Sequence, residues 1–292
     1  MIRYEGTLYR PPSEADSLIL QATIGCSYNE CTFCGMYRDK RFRTRPMHEL
    51  AAEIEWARRH AGPVRKVFLA DGDALVARAD FLEELLTRLA TAFGPLARVS
   101  CYASPQSLQV RSVAEMTRLR ERGLTLCYLG VESGCDAVLA RLKKGVDAAE
   151  MVRVAQKAHA AGMKLSTMIL LGAGGRAGSE QHALASARVV NAIAPRFVST
   201  LVMTPVEATP LWDEAERGEV DLLTPIELAR ELRRFLGGLD LDGAVFRSNH
   251  ASNFLALAGT LRKDQAKLVG FLDAVLADPE AAPFRPDSLR GL

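Results

Sequence analysis

The stretch Ser17-Leu18-Ile19-Leu20-Gln21-Ala22-Thr23-Ile24-Gly25-Cys26-Ser27-Tyr28-Asn29-Glu30-Cys31-Thr32-Phe33-Cys34-Gly35 runs from an apolar segment straight into three closely spaced thiols. A short apolar run bounded by glycine reads as a buried strand, so Ser17–Ile24 is a strand and the cysteines occupy the loop at its C-terminal end. In β/α barrels that end carries the chemistry. Soft thiolates select iron-sulfur clusters or zinc, and three ligands on one short loop can wrap a cubane cluster while leaving one iron open. A structural zinc site asks instead for four closed ligands, commonly from two separated pairs. No second CxxC or HxxxH pair is present, and His48 is the candidate for a fourth ligand.

Outward from this loop the same kind of run recurs at Val64–Ala70, Ala97–Ala103, Thr125–Val131, Lys164–Leu171 and Arg196–Met203. Between them lie segments with an apolar stripe at helical spacing: Met47–His60, Phe81–Phe93, Ala148–Ala161 and Glu180–Ile193. Strand and helix alternate for six rounds. Alternation implies right-handed crossovers and a parallel sheet, and strands this uniformly apolar are covered on both faces, so a barrel or part-barrel is the expected closure. Gly62-Pro63, Gly94-Pro95, Gly123 and Gly162 stand where helices must end and turn into the next strand. After about Pro210 the pattern becomes mainly helical, with Pro225–Leu236 and Lys263–Leu276 flanking a short run at Ala244–Phe246. The expected fold is therefore α/β: a partial (β/α)6 TIM-like barrel over residues 1–211, including an N-terminal lead-in, with a C-terminal extension, 212–292, packed on it.

Composition narrows the function classes. With 292 residues, 48% of them hydrophobic and 25% charged, the chain can bury a large core. A formal charge of +2 offers no global field for nucleic acid or a membrane surface. No run approaches the roughly 18 apolar residues of a membrane span, and the start is too polar for a secretory signal, which points to the cytoplasm. Six cysteines are too few for a disulfide scaffold in a chain of this length. Cys101 and Cys127 lie in strand patterns and read as small packed hydrophobes, whereas Cys135 falls in a turn near the expected mouth.

At the cysteine loop the chain resembles the radical S-adenosylmethionine superfamily, whose signature is CxxxCxΦC with Φ aromatic. Here the first gap is four residues, giving CxxxxCxxC, and Phe33 fills the aromatic place. The resemblance continues in order along the chain. Leu69-Ala70-Asp71-Gly72-Asp73-Ala74 stands where the family carries a Gly-Gly-Glu-like motif for the cofactor's amino group. Gly130-Val131-Glu132-Ser133-Gly134 is similar to its polar motif for ribose and methionine groups. Lys144 sits where the family often places a cation for the cofactor's carboxylate, and Met168–Gly175 resembles the segment whose backbone borders adenine. Thr204-Pro205 and Thr209-Pro210-Leu211 resemble the last barrel segment.

The resemblance implies a [4Fe-4S] cluster on Cys26, Cys31 and Cys34, with S-adenosylmethionine held by Phe33, Asp71, Gly72, Asp73, Glu132, Lys144, Leu171 and Gly172. It implies reductive cleavage of the cofactor to a 5'-deoxyadenosyl radical that takes a hydrogen from substrate. An external one-electron donor, flavodoxin-like or ferredoxin-like, is expected as partner, with a small molecule as substrate. Arg176, Arg247, Asn249 and His250 are the candidates to touch that substrate. Blander alternatives stand beside these. Asp71 or Asp73 could cap a following helix, Arg176 and His182 suit a surface better than a ligand set, and the Arg247–Asn253 segment could be a solvated loop. A zinc-stabilised protein, an iron-sulfur electron carrier, or a barrel working by acid-base chemistry through Asp71, Asp73 and Glu132 are the competing functions.

Overall fold

The computed structural model describes Met1–Gly291. In chain order its strands are β1 (Leu18–Gln21), β2 (Thr23–Ile24), β3 (Arg43–Thr44), β4 (Lys66–Ala70), β5 (Arg98–Ala103), β6 (Leu124–Glu132), β7 (Lys164–Leu171), β8 (Phe197–Val202), β9 (Val245–Arg247) and β10 (Ala258–Thr260). The helices are α1 (Met47–His60), α2 (Ala79–Phe93), α3 (Pro105–Val110), α4 (Val113–Glu121), α5 (Asp136–Arg141), α6 (Ala148–Ala160), α7 (Gly175–Ile193), α8 (Pro210–Glu216), α9 (Pro225–Gly237) and α10 (Gln265–Ala277). The main sheet has the order β1-β4-β5-β6-β7-β8-β9-β10, and β2 with β3 forms a separate ribbon. β1 and β10 are its two edges, so the α/β sheet is an open part-barrel.

The chain forms two compact units, one of Met1–Asn29, Met36–Leu129 and Val154–Leu165, the other of Glu30–Gly35, Gly130–Arg153 and Ser166 onward. In the first, β1, β4, β5 and the start of β6 pair in parallel. Val67, Phe68, Leu69 and Ala70 of β4 are all buried, as a parallel strand covered on both faces requires. α2 shows why its segment is helical: Leu82, Leu85, Leu86 and Leu89 repeat at i, i+3, i+4 and i+7 and are all buried. Gly94 ends it with φ of 70°. The expected first strand divides at Ala22, which donates its N–H to the Ala70 carbonyl and accepts from Arg45 N–H. β2 then pairs antiparallel with β3, a partner that the exposed Arg43-Thr44 pair does not announce. Phe68, Tyr102 and Tyr128 stack edge to face, with centroids 5.2 to 6.1 Å apart. Beside them Glu14, from the lead-in, is fully buried and accepts from Tyr128 OH at 2.5 Å, Ser100 Oγ at 2.9 Å and Arg98 at 2.8 Å.

In the second unit β7 and β8 run parallel in the register Ser166↔Phe197 to Leu171↔Val202, and α9 packs on α7 and α10. The C-terminal part is helical as expected, with one addition. β9 joins β8 in parallel and β10 joins β9 antiparallel, so the segment also extends the sheet. α9 opens with a reciprocal cap between Thr224 and Glu227 and buries Leu228, Leu232, Phe235 and Leu236. On the same buried face lies Glu231.

Candidate active site

The first limb of the thiol loop is built on two buried carboxylates. Asp71 follows β4 directly, and its Oδ2 accepts from Gly25 N–H at 3.0 Å, Gln21 Nε2 at 2.9 Å and Lys40 Nζ at 3.0 Å. The Lys40 ammonium, itself buried, is the counter-ion that makes a fully buried carboxylate tolerable. Asp71 Oδ1 is buried with no hydrogen-bond partner among the described residues. Asp73 accepts from Ser27 Oγ at 2.5 Å, Ser104 Oγ at 2.7 Å and Ser104 N–H at 3.1 Å. Burial pushes the Asp73 carboxyl up from the usual range, opposed by these serine hydrogen bonds. It makes no cap bond to the short 3-10 turn Ala74–Val76 that follows it, so the helix-cap alternative fails for Asp73. Between the two acids, Gly72 accommodates the Tyr37 ring: a Cβ there would lie 2.4 Å from Tyr37 Cε2. Gly72 N–H also donates to the Gly25 carbonyl at 3.1 Å, so the backbone before Cys26 is held on both sides.

The second limb, Glu30–Gly35, is anchored elsewhere. α5 ends with carbonyls that lack helical partners, and Thr32 supplies two: its N–H donates to Leu142 at 3.1 Å and its Oγ1 to Arg141 at 3.2 Å. Thr32 in turn accepts from Leu211 N–H at 3.1 Å, at the start of α8. Phe33 packs on an apolar cluster that includes Cys135, Val138, Leu142 and Leu170. Cys135, expected in a turn near the mouth, is buried there. Cys26, Cys31 and Cys34 are half-buried, and none of the six cysteines is in a disulfide. The donor set fits an iron-sulfur cluster in its chemistry: three thiols lie within nine residues of one loop and none is in a disulfide. Among the described residues no three His, Cys, Asp or Glu side chains are gathered as a set that could hold a metal ion. His48 is exposed on α1.

Beyond the loop, Glu132 ends β6 with φ of 64°, an unusual conformation for a residue with a side chain. It folds back over Gly130, where a Cβ would come 2.0 Å from Glu132 Oε1, and binds Lys144 Nζ at 2.9 Å. The structure thus pairs two residues that the sequence reading gave separate roles toward the cofactor. Ser133 Oγ lies 2.8 Å from His182 Nδ1 and accepts from Cys135 N–H. Leu171 is buried, and Gly172, with φ of 84°, gives its N–H to Glu231 Oε1 at 2.7 Å.

The candidates for touching substrate make contacts of other kinds. Arg176 is half exposed and committed to ion pairs with Asp221 and Glu227. Arg247 and Asn249 are exposed, and His250 Nδ1 accepts from Ser252 N–H at 3.1 Å. His182 is not a surface residue: it is fully buried on α7, where its Nδ1 lies against Ser133 Oγ. Sequence reading missed Lys40, Gln21, Ser104 and Glu231, because a polar side chain carries no periodic signal of burial. Cys101 and Cys127 are the expected packed pair, 4.0 Å apart.

Comparison with known proteins supplies the relationship. The sequence model of the Radical SAM superfamily matches residues 20–176. Among solved structures, methylornithine synthase (PylB) shares 18% identity at a TM-score of 0.55, covering 78% of this chain and 64% of that one. Coproporphyrinogen III oxidase (HemN) from Escherichia coli, described as a radical SAM enzyme, shares 18% at a TM-score of 0.55, over 76% of this chain and 52% of that one. The methyltransferase TsrM from Kitasatospora setae shares 14% at a TM-score of 0.57, over 89% of this chain and 58% of that one. The chain thus spans between half and two thirds of the length of these enzymes. A search of curated proteins gave no match. Among the described residues no helix is long and apolar enough to cross a membrane.

Proposed function

Given that the chain belongs to the radical SAM superfamily, whose enzymes use a [4Fe-4S] cluster and S-adenosylmethionine, we propose that Cys26, Cys31 and Cys34 ligate that cluster and that the product of cofactor cleavage is 5'-deoxyadenosine, its added hydrogen drawn from a small-molecule substrate. The observation that carries this reading is the reduced thiol loop, held at Gly25 and Ser27 by Asp71 and Asp73 and at Thr32 by the end of α5. When bound, cluster and cofactor supply one-electron reduction and hydrogen abstraction, chemistry that no side chain provides.

The chain's own residues do the positioning. Asp71 and Asp73 fix the loop's first limb, and Asp71 Oδ1 retains a lone pair suited to an ammonium. Glu132 and Lys144 form a neutral pair, able to offer a carboxylate to hydroxyls and an ammonium to a carboxylate. The Leu171–Gly172 backbone borders adenine. Phe33, between Thr32 and Cys34, seats the loop on the apolar cluster around Cys135 and Leu170. A flavodoxin-like or ferredoxin-like donor and a reducing cytosol complete the proposal.

The test is anaerobic reconstitution with iron and sulfide, followed by dithionite and S-adenosylmethionine and chromatography for 5'-deoxyadenosine. Wild-type protein is expected to form it and Cys31→Ala to lose it. Zinc alone in the anaerobically prepared protein, or unchanged turnover in Cys31→Ala, overturns the ligand assignment.

A further inference from the structure

Glu231 is the acid on the buried face of α9, and it is fully buried. Its hydrogen bonds come from neutral groups: Gly172 N–H on Oε1 at 2.7 Å and Ser179 Oγ on Oε2 at 2.5 Å. Arg234, one turn on, is engaged with Glu180 at 2.9 Å. His182 Nε2 stands 3.7 Å from Oε1, beyond hydrogen-bond reach, while its Nδ1 bonds Ser133 Oγ, the residue after Glu132. Gly172 is also tightly approached by the same helix, since a Cβ there would meet Leu228 Cδ2 at 3.3 Å. The C-terminal helix therefore touches the β7 loop at the residue whose backbone is read as bordering adenine, and does so with a buried carboxylate where a leucine would satisfy packing alone.

We propose that Glu231 is a positioning residue for the cofactor: through Gly172 N–H it sets the stance of the β7 loop toward adenine. The inference rests on the reading that Leu171 and Gly172 border adenine. Burial pushes the Glu231 carboxyl up to about 7 and the His182 imidazole down to about 4, so near neutral pH the histidine is uncharged and the acid is poised to change state. The charged groups nearby are Arg234, which favours the carboxylate, and its partner Glu180.

Two variants separate the outcomes. Glu231→Gln keeps an acceptor for Gly172 and gives Ser179 a donor; Glu231→Leu removes both. The readouts are hydrogen exchange across 171–175 in the cluster-free protein and the equilibrium affinity of the anaerobically reconstituted protein for S-adenosylmethionine. Glu231→Leu is expected to speed exchange at Gly172 and weaken the cofactor on the order of tenfold each, the scale of one lost hydrogen bond, with Glu231→Gln close to wild type. Unchanged exchange in Glu231→Leu overturns the support, and faster exchange with unchanged affinity overturns its bearing on adenine. Where wild type fails to bind the cofactor, the functional reading itself fails, recognisable because Gly172 exchange still answers to the substitution. Should Glu231→Leu not fold, Glu231→Gln decides: wild-type protection at Gly172 is expected to change across pH about 7 and the glutamine variant's to stay flat, and identical profiles overturn the proposal.

Discussion

At the scale of single residues, Glu231 and His182 move protons in opposite directions when the chain folds. Glu231 titrates at about 7 in the folded state against an ordinary 4.5, so its contribution to stability falls as pH rises from 4.5 to about 7. His182 titrates at about 4 against 6.5, so its contribution rises as pH rises from about 4 to 6.5. In the wild type the two slopes oppose each other over the shared window. Urea midpoints measured across that window should climb with pH in Glu231→Gln and decline in His182→Gln, and parallel profiles for all three proteins would show that the pair does not titrate as described. Gly72→Ala is simpler. Its new Cβ meets the Tyr37 ring at 2.4 Å, so a loss of about 1–3 kcal/mol in a denaturant titration is expected. The Asp-Gly-Asp motif and the three cysteines stand out in the sequence by residue type and spacing, and the structure shows Asp71 and Asp73 hydrogen-bonded to Gly25 and Ser27 beside Cys26. Tyr37 over Gly72, Lys40 against Asp71 and Glu231 under Gly172 were not legible there, since each pairs residues 31 to 59 positions apart or depends on one glycine's missing side chain.

At the scale of elements, the strand runs and helical stripes were read almost to their ends, because burial imposes a period on apolar residues. α9 shows both the success and its boundary. Leu228, Leu232, Phe235 and Leu236 mark its inner face, but Glu231 shares that face, and a charge in a helical pattern is ordinarily assigned to solvent. Leu232→Ala should cost about 2–5 kcal/mol by emptying a buried site, read from the shift of a urea midpoint. A change below about 0.5 kcal/mol would mean that α9 is not packed as described. The elements that escaped sequence reading include β10 with three residues and β3 with two, too few for any periodicity to show, and the helices α3, α4, α5 and α8, of six to nine residues. The existence of such strands is decided by the neighbours that offer them free N–H and C=O groups.

At the scale of the molecule, the ordered run of motifs from Cys26 to Leu211 carried the family, and the match over residues 20–176 bears it out. Substrate choice was not legible, because it rests on side chains that differ from one relative to the next, and at 14% to 18% identity these neighbours share the fold alone. The lead-in before β1 also has a global role. Burial, then the Glu14 carboxylate, pushes the Tyr128 phenol up and keeps its proton on the oxygen that donates to Glu14. Shortening the chain to start at Leu18, as an expression strategy guided by the barrel boundary would do, strips one acceptor from a tyrosine, a serine and an arginine at once. Such a trimmed protein is expected to melt several degrees lower, at roughly 2–4 °C per kcal/mol lost; a melting point equal to that of the full chain would show that water takes over the acid's place without penalty. Tags and fusion partners are accordingly better joined ahead of Met1 than spliced at the first strand, since the seventeen residues that look like packaging bring a buried acid against an edge-to-face aromatic cluster.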